Sequence, residues 1–296
     1  MPIAPTDAIC QPGQHSFREE TIALHRIHAV ALEAAQAAGK VLIGAFGRPQ
    51  AVDRRSAHDL KLALDRRSEA AALAILQANF PDHEIVSEEK GLLNPGAEFR
   101  WYLDPLDGTV NYFMGQPYFC TCLACYHTPS GACAETAEKT DPLGQPLTGV
   151  VYAPALDRLF EAVPGGPALC NGRPVRPGPE KRLSEAVIGF SYGSDPDTMQ
   201  RMQMVAQELV PRARKVRIFG ATGLDLVHVA CGGLSGLVQG KIRVWDFAAA
   251  KVIVEAAGGY CRAVPLDNGG GWRITAAAPG IALPLCQLVD RLADRG

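Results

Sequence analysis

Trp101-Tyr102-Leu103-Asp104-Pro105-Leu106-Asp107-Gly108-Thr109-Val110-Asn111 is the stretch on which the rest of the chain turns. Its three leading apolar residues read as the end of a buried strand. Asp104-Pro105 breaks that strand, because proline has no N–H and pushes its predecessor toward extended geometry. Asp104 and Asp107 place two carboxylates three residues apart in the turn that follows. Gly108 permits close backbone approach or a positive φ. A helix starting near Thr109 points its free N–H groups at the two acids. Carboxylate oxygens are the ligands that Mg²⁺ prefers, and substrate phosphate oxygens commonly complete its shell. Without that chemistry the same residues make an ordinary strand-to-turn connection, since Asp, Pro and Gly favour turns.

Outward from this stretch, composition narrows the class. The chain has 296 residues, 47% hydrophobic and 20% charged, as expected for one large globular domain or two tightly packed halves. A net charge of −2 and a pI near 6.4 argue against a nucleic-acid or anionic-membrane surface, which selects basic patches. No apolar run reaches the roughly 20 residues that span a bilayer, and no secretory signal is visible. Nine scattered cysteines, an odd number, then read as reduced thiols in a cytoplasmic protein.

Residues 1–15 hold prolines and few large apolar groups and are expected to form a flexible arm. Residues 16–296 are expected to form one domain with two halves, 16–185 and 186–296. Ser16 and Glu19 have capping-box spacing, so a helix is predicted from Ser16 to about Phe46. Ala23, Ile27, Val30, Ala34, Ala37 and Val41 form its apolar stripe. His25 and His28 lie on it with no third ligand nearby and read as packing or surface residues. Leu60, Leu62 and Leu64 alternate as a short strand, and Asp65 is placed as the N-cap of the next helix, to about Asn79. Ile85-Val86 reads as a strand, with Glu88 and Glu89 at its end.

Cys122-x-x-Cys125 with His127 offers a weak zinc pattern, because structural zinc wants four ligands. In a strand Cys120 and Cys122 share one face and Cys125 points to the other, so buried thiols acting as small apolar residues are preferred. Residues 128–146 read as a long hairpin loop. Short strands are predicted at 147–153, 158–163, 168–175 and 186–191, and a helix from Asp195 to Leu209. Val216 to Asp225 runs from strand through turn into helix, with Thr222 as a possible cap. Trp245-Asp246 before Phe247-Ala248-Ala249-Ala250 sets Asp246 at a helix N-terminus. The last helix is predicted at about 283–292. Helices, then antiparallel strands, then alternating elements make α+β layering.

Asp104-Pro105-Leu106-Asp107-Gly108-Thr109-Val110-Asn111, the preceding Glu88-Glu89, the Asp closing Asp59 to Asp65, and Trp245-Asp246 before small residues occur in this order. Together they resemble the inositol monophosphatase superfamily, Mg²⁺-dependent, lithium-sensitive phosphatases of sugar and nucleotide phosphates. One departure is Lys61-Leu62, where the family often has Val-Thr. The resemblance implies the layered αβαβα sandwich of the inositol monophosphatase and fructose-1,6-bisphosphatase type. It implies hydrolysis of a small phosphorylated metabolite with two or three Mg²⁺ ions, by a homodimer; composition adds that no membrane partner is expected and that a nucleic-acid partner is disfavoured.

By resemblance, Glu88, Asp104 and the Leu106 carbonyl hold one ion, and Asp104, Asp107 and Asp246 a second. Asp65 and Thr109 pair to orient the attacking water, and the Gly108-Thr109 amides receive the phosphate. Gly220, Ala221 and Thr222 lie beside the rest of the substrate. Gln239 stands where inositol monophosphatases carry a glutamate that binds substrate hydroxyls. With Lys241 and Arg243 near it, Gln239 leaves room for an anionic leaving group. Fructose 1,6-bisphosphate and 3′-phosphoadenosine 5′-phosphate are the alternatives of that kind. A non-catalytic regulatory protein on the same fold is the alternative from another class.

Overall fold

The computed structural model describes residues 12–55, 60–128, 142–193, 195–266 and 271–293. Helix α1 (Pro12–Ala45) starts ahead of Ser16, so Ser16 lies inside the helix and does not cap it. The remainder of the expected arm, residues 1–11, lies outside the described residues. Ile27, Val30, Ala31, Ala34, Ala35, Ala38 and Leu42 form the buried stripe of α1, at the three- and four-residue steps of one helical face.

A two-stranded ribbon follows, β1 (Val52–Arg55) antiparallel to β2 (Leu60–Leu62). Helix α2 (Ala63–Asn79) begins directly after β2, which puts Leu64 in its first turn and not in the strand. Asp65 is consequently not the N-cap. Leu62 holds that position and has no side-chain acceptor, so Asp65 reaches back from the third helical residue and its Oδ2 accepts the Leu62 N–H at 2.8 Å.

The first large sheet contains β3 (Glu84–Ser87), β4 (Gly91–Leu93) and β5 (Phe99–Asp107). After the short helix α3 (Thr109–Phe113) it continues through β6 (Cys120–His127), β7 (Gln145–Ala153), β8 (Arg158–Ala162), β9 (Leu169–Cys170) and β10 (Arg173–Pro174). Its order is β10-β9-β8-β7-β6-β5-β3-β4, and only β3 and β5 run parallel. The smaller sheet takes β11 (Val187–Ser191), α4 (Pro196–Leu209) packs on it, and β12 (Lys215–Arg217) forms its edge. Helix α5 (Thr222–Ala230), β13 (Gly236–Ile242), α6 (Val244–Ala256), β14 (Tyr260–Leu266), β15 (Gly271–Ala277) and α7 (Ala282–Ala293) complete the chain. The sheet order is β12-β11-β13-β15-β14.

Five layers result. α1 and α2 cover one face of the eight-stranded sheet, and α5 and α6 lie between the two sheets. α4 and α7 cover the outer face of the five-stranded sheet. This is the expected αβαβα sandwich. Four apolar cores are found among the described residues, and the central one joins Tyr102, Cys122 and Val151 to Leu224, Phe247 and Ile253.

The deciding stretch departs from expectation in one way. β5 is not broken at Asp104-Pro105 but continues to Asp107. Asp104 pairs with Cys122 and Asp107 with Cys120, so three steps on β5 oppose two on β6. Proline lacks the N–H that a regular ladder would use, and a bulge absorbs the mismatch. The bulge also corrects parity. Residues three apart in a regular strand face opposite sides. Opposite Cys120 and Cys122, which share a face, both aspartates are brought to the side of the α5–α6 layer.

Candidate active site

The four acids of the cluster arrive from three elements, the end of β3, strand β5 and helix α6. Because β3 runs parallel to β5, with Ser87 opposite Leu103, the chain leaves β3 beside Asp104, and the Glu88 N–H donates to Leu103 O at 3.2 Å. Glu88 lies close enough to Asp104 that the charge of each acts on the other. Asp104 is 2% exposed and its Oδ1 accepts the Leu106 N–H at 3.0 Å. Asp246 is the third residue of α6 and its Oδ2 accepts the Arg243 N–H at 2.8 Å. It closes the cluster from the helical layer between the two sheets.

Asp107 does something the sequence did not reveal. Its Oδ1 accepts the Thr222 N–H at 3.0 Å and its Oδ2 the Gly223 N–H at 2.7 Å. Thr222 and Gly223 open α5, and the N-cap, Ala221, has no side-chain acceptor. The helix is therefore capped by a carboxylate from another layer, not by Thr222, at the end where its dipole favours negative charge.

Gly108 has φ 86° and forms the N-cap of α3. A Cβ there would meet Tyr118 O at 2.9 Å and Ala221 Cβ at 3.1 Å, so both φ and the close approach require glycine. Thr109 begins α3 as expected, where N–H groups have no partner within the helix. Its hydroxyl donates to Leu106 O at 3.0 Å and not to Asp65. Asp65 Oδ1 is buried without a hydrogen-bond partner among the described residues. Asn111 Nδ2 donates to both Tyr118 O at 2.9 Å and Phe219 O at 2.8 Å, tying the deciding stretch to the turn that holds Gly220.

Gln239 is 7% exposed on β13, so it does not point into solvent. It shares the face of Leu237, which packs in the central core, toward α5 and α6. Lys241 lines a small pocket with Thr198, Arg201, Gly240 and Arg273, which places its charge beside α4.

Crowding sets the electrostatics. Burial first, then the neighbouring acids, push Asp104 and Asp246 above the ordinary carboxylate range, and burial raises Glu88 against the pull of Lys61. Burial pushes Asp65 up to about 7 against the pull of the Leu62 N–H and Lys61. Burial pushes Asp107 up to about 6, with its hydrogen bonds from Gly223, Cys120 and Thr222 holding it back. Such a set asks for cations. The donors, carboxylates and the Leu106 carbonyl, are hard oxygens that suit Mg²⁺. No three carboxylates bring their oxygens mutually within 4.8 Å among the described residues. As the side chains stand, an ion here would be gripped by two acids at a time, and a third would have to close in on it.

The tightest mixed group is Asp107 with Cys120 and Cys122, whose Sγ atoms lie 3.7 Å apart. Cys125 packs in the other core, against α1 and α2, so the Cys122–Cys125–His127 zinc pattern is not assembled. All seven described cysteines are free thiols.

Two participants were missed. Lys61 Nζ contacts Glu88 Oε1 and lies 3.0 Å from Glu89 Oε1. Glu69 of α2, fully buried, accepts the Glu89 and Lys90 N–H groups at 3.0 and 3.1 Å and the Ser87 hydroxyl on its Oε1. It fixes the turn that carries Glu88. The available signal was that Asp65 and Glu69 fall on the same stripe of α2 as Ala72 and Leu76, an unlikely place for acids without work.

Comparison with known proteins bears on the family and the fold. The family model described as inositol monophosphatase family matches residues 23–282. A chloroplastic phosphatase of Arabidopsis thaliana, IMPL1, is 32% identical over 276 residues, 91% of this chain and 70% of that protein. The Nus factor SuhB of Pasteurella multocida is 31% identical over 261 residues, 85% of this chain and 91% of that protein. The structure of inositol monophosphatase from Anabaena superposes with a TM-score of 0.73 at 31% identity, covering 91% of this chain and 97% of that one. With an acidic centre built across its two sheets and a family match over most of its length, the chain belongs to the inositol monophosphatase family.

Proposed function

We propose that this chain hydrolyses phosphate monoesters of small metabolites with Mg²⁺ at the Glu88–Asp104–Asp107–Asp246 cluster. The observation that carries the reading is the bulge in β5, which turns Asp104 and Asp107 to one face, where Glu88 and Asp246 join them. Glu88, Asp104 and the Leu106 carbonyl would hold one ion, and Asp104, Asp107 and Asp246 another. Magnesium, when bound, supplies Lewis-acid charge to the phosphate and to the attacking and leaving oxygens.

The chain's own residues do the rest. The N–H groups at Gly108-Thr109 receive phosphate oxygens at the start of α3. Asp65 and Thr109 orient the water, and the unpartnered Asp65 Oδ1 is the free acceptor for its proton. As the water oxygen bonds to phosphorus, the ester P–O bond breaks and its electron pair leaves with the alcohol oxygen. Gly220, Ala221, Thr222 and Gln239 would contact that leaving group. An uncharged Gln239 disfavours cationic substrates and admits bisphosphorylated ones such as fructose 1,6-bisphosphate or 3′-phosphoadenosine 5′-phosphate.

Phosphate release from a panel of monoesters, with and without Mg²⁺, tests this. Activity that requires Mg²⁺ and falls in millimolar-scale LiCl is expected; no release from any ester would sink the reading. A second reading, action through a protein or RNA partner, rests on the similarity to a Nus factor. The net charge of −2 counts against a nucleic-acid surface. A homodimer is the assembly we propose, checked by light scattering.

A further inference from the structure

The structure assigns Lys61 a part in the metal centre: we propose that its ammonium is a resident cation, holding Glu88 and Glu89 and supplying there a charge that a further metal ion would otherwise provide. The inference rests on the Mg²⁺ reading of the site given above.

Lys61 sits in the middle of β2, between Leu60 and Leu62. Leu62 is buried against Leu64, Leu106 and Tyr112. Alternation along a strand sends the lysine side chain to the face opposite Leu62. There Nζ meets Glu88 Oε1 and stands 3.0 Å from Glu89 Oε1. All three side chains are mostly enclosed, at 20%, 20% and 15% exposure, so water screens the contacts weakly. The same charge reaches Asp65 and Asp246.

Both glutamates are held from behind as well. The Glu88 N–H is bonded to Leu103 O, and the Glu89 N–H to Glu69 Oε1. The pair is thus a fixed two-carboxylate acceptor, and one ammonium spans it. A lysine offers a point charge with three donors and, being part of the chain, does not exchange with solvent as a weakly held ion does. A carboxylate pair of this kind, stripped of the lysine, is a further Mg²⁺ site.

The test uses Lys61→Met and Lys61→Gln, which keep length without charge, and Lys61→Arg, which keeps charge. Mg²⁺ binding is measured by calorimetry on the full-length, metal-stripped protein, together with metal-free melting temperature. The expected result is about one more Mg²⁺ per chain in Lys61→Met and Lys61→Gln than in wild type. Their metal-free melting temperature falls and Mg²⁺ raises it further than in wild type, while Lys61→Arg keeps the wild-type stoichiometry. Unchanged stoichiometry overturns the proposal. Tighter binding at unchanged stoichiometry also overturns it, because Lys61 would then compete with a metal and not stand in for one. If wild type and all variants bind no Mg²⁺, the metal reading itself fails and the proposal with it.

Discussion

Asp104 accepts a backbone N–H with one oxygen, and the acids Glu88, Asp107 and Asp246 crowd it. Asp104→Asn keeps that bond and removes one charge from a crowded cluster. The expected outcome is a loss of turnover beyond about a hundredfold, since even groups that merely orient metal ligands are worth 10–100-fold. The metal-free melting temperature should hold or rise, because like-charge repulsion is relieved. Phosphate release and a thermal melt check both halves; wild-type turnover would refute the role. Gln239 supports a second prediction. Charge-assisted hydrogen bonds are about twice as strong as neutral ones. Gln239→Glu should therefore raise kcat/KM for inositol monophosphate relative to a bisphosphate by about tenfold, a difference of about 1.4 kcal/mol. An unchanged ratio means the position does not read substrate. At this scale the acids were legible, because side-chain chemistry is written directly in the sequence. Lys61 was noticed only as a departure from a pattern, since nothing in β2 says which distant carboxylates its side chain will meet.

Helix α5 is the element on which the site's geometry most depends, because its first two N–H groups grip Asp107. Gly223 allows the grip. A Cβ there would overlap Cys122 Sγ and come within 3.2 Å of Asp107 Oδ2. Gly223→Ala should push α5 away, costing about 1–3 kcal/mol of stability and lowering turnover with it. Adding Cys122→Ala vacates the space that the new methyl needs. The double variant should recover part of both losses, a coupling that denaturant melts and assays read together. Separate, additive losses would show that the glycine matters for another reason. Element order and most boundaries were legible from periodicity and turn residues. The bulge in β5 was not. Proline announces a disturbance of the ladder, but whether a strand stops or bulges depends on its neighbour β6, 13 to 18 residues away at Asp107–Cys120 and Asp104–Cys122. Asp65 was misplaced for a related reason: capping chemistry points to the first turn but does not say whether the acid stands at its start or three residues in.

For the molecule as a whole, buried acids set the dependence of stability on pH. Asp65 is raised to about 7, Asp107 to about 6 and Asp225 to about 7, each first by burial. A carboxylate raised in the folded state keeps a proton that the unfolded chain has released. Its contribution is therefore fully present below the ordinary range near 4 and is lost as pH rises through the folded value. The metal-free protein should melt at a higher temperature near pH 5 than near pH 7.5, with most of the fall between. Mg²⁺, by neutralising Asp107 and the acids clustered with it, should reduce that slope, leaving the share that belongs to Asp225. Melts across pH in EDTA and in MgCl₂ measure it, and parallel curves would contradict it. The five layers were legible at this scale only through resemblance. Composition and periodicity indicate α+β, but which helices lie between the sheets is decided by contacts such as those of α5 and α6, far apart in sequence from the strands they join.

The clasp between Asp107 and α5 also has a direction in time. Its hydrogen bonds close over 115 and 116 residues. A ribosome therefore releases the deciding stretch long before it has made the amides that will hold it. Until then the larger sheet carries aspartates with no helix to receive them, and its inner apolar face waits uncovered. A chain cut between β10 and β11 would yield two pieces, each with an unfinished surface and neither with a working centre. On the proposed metal reading such pieces should find each other faster with Mg²⁺ in the mixture, because an ion held by acids of both would fasten one to the other.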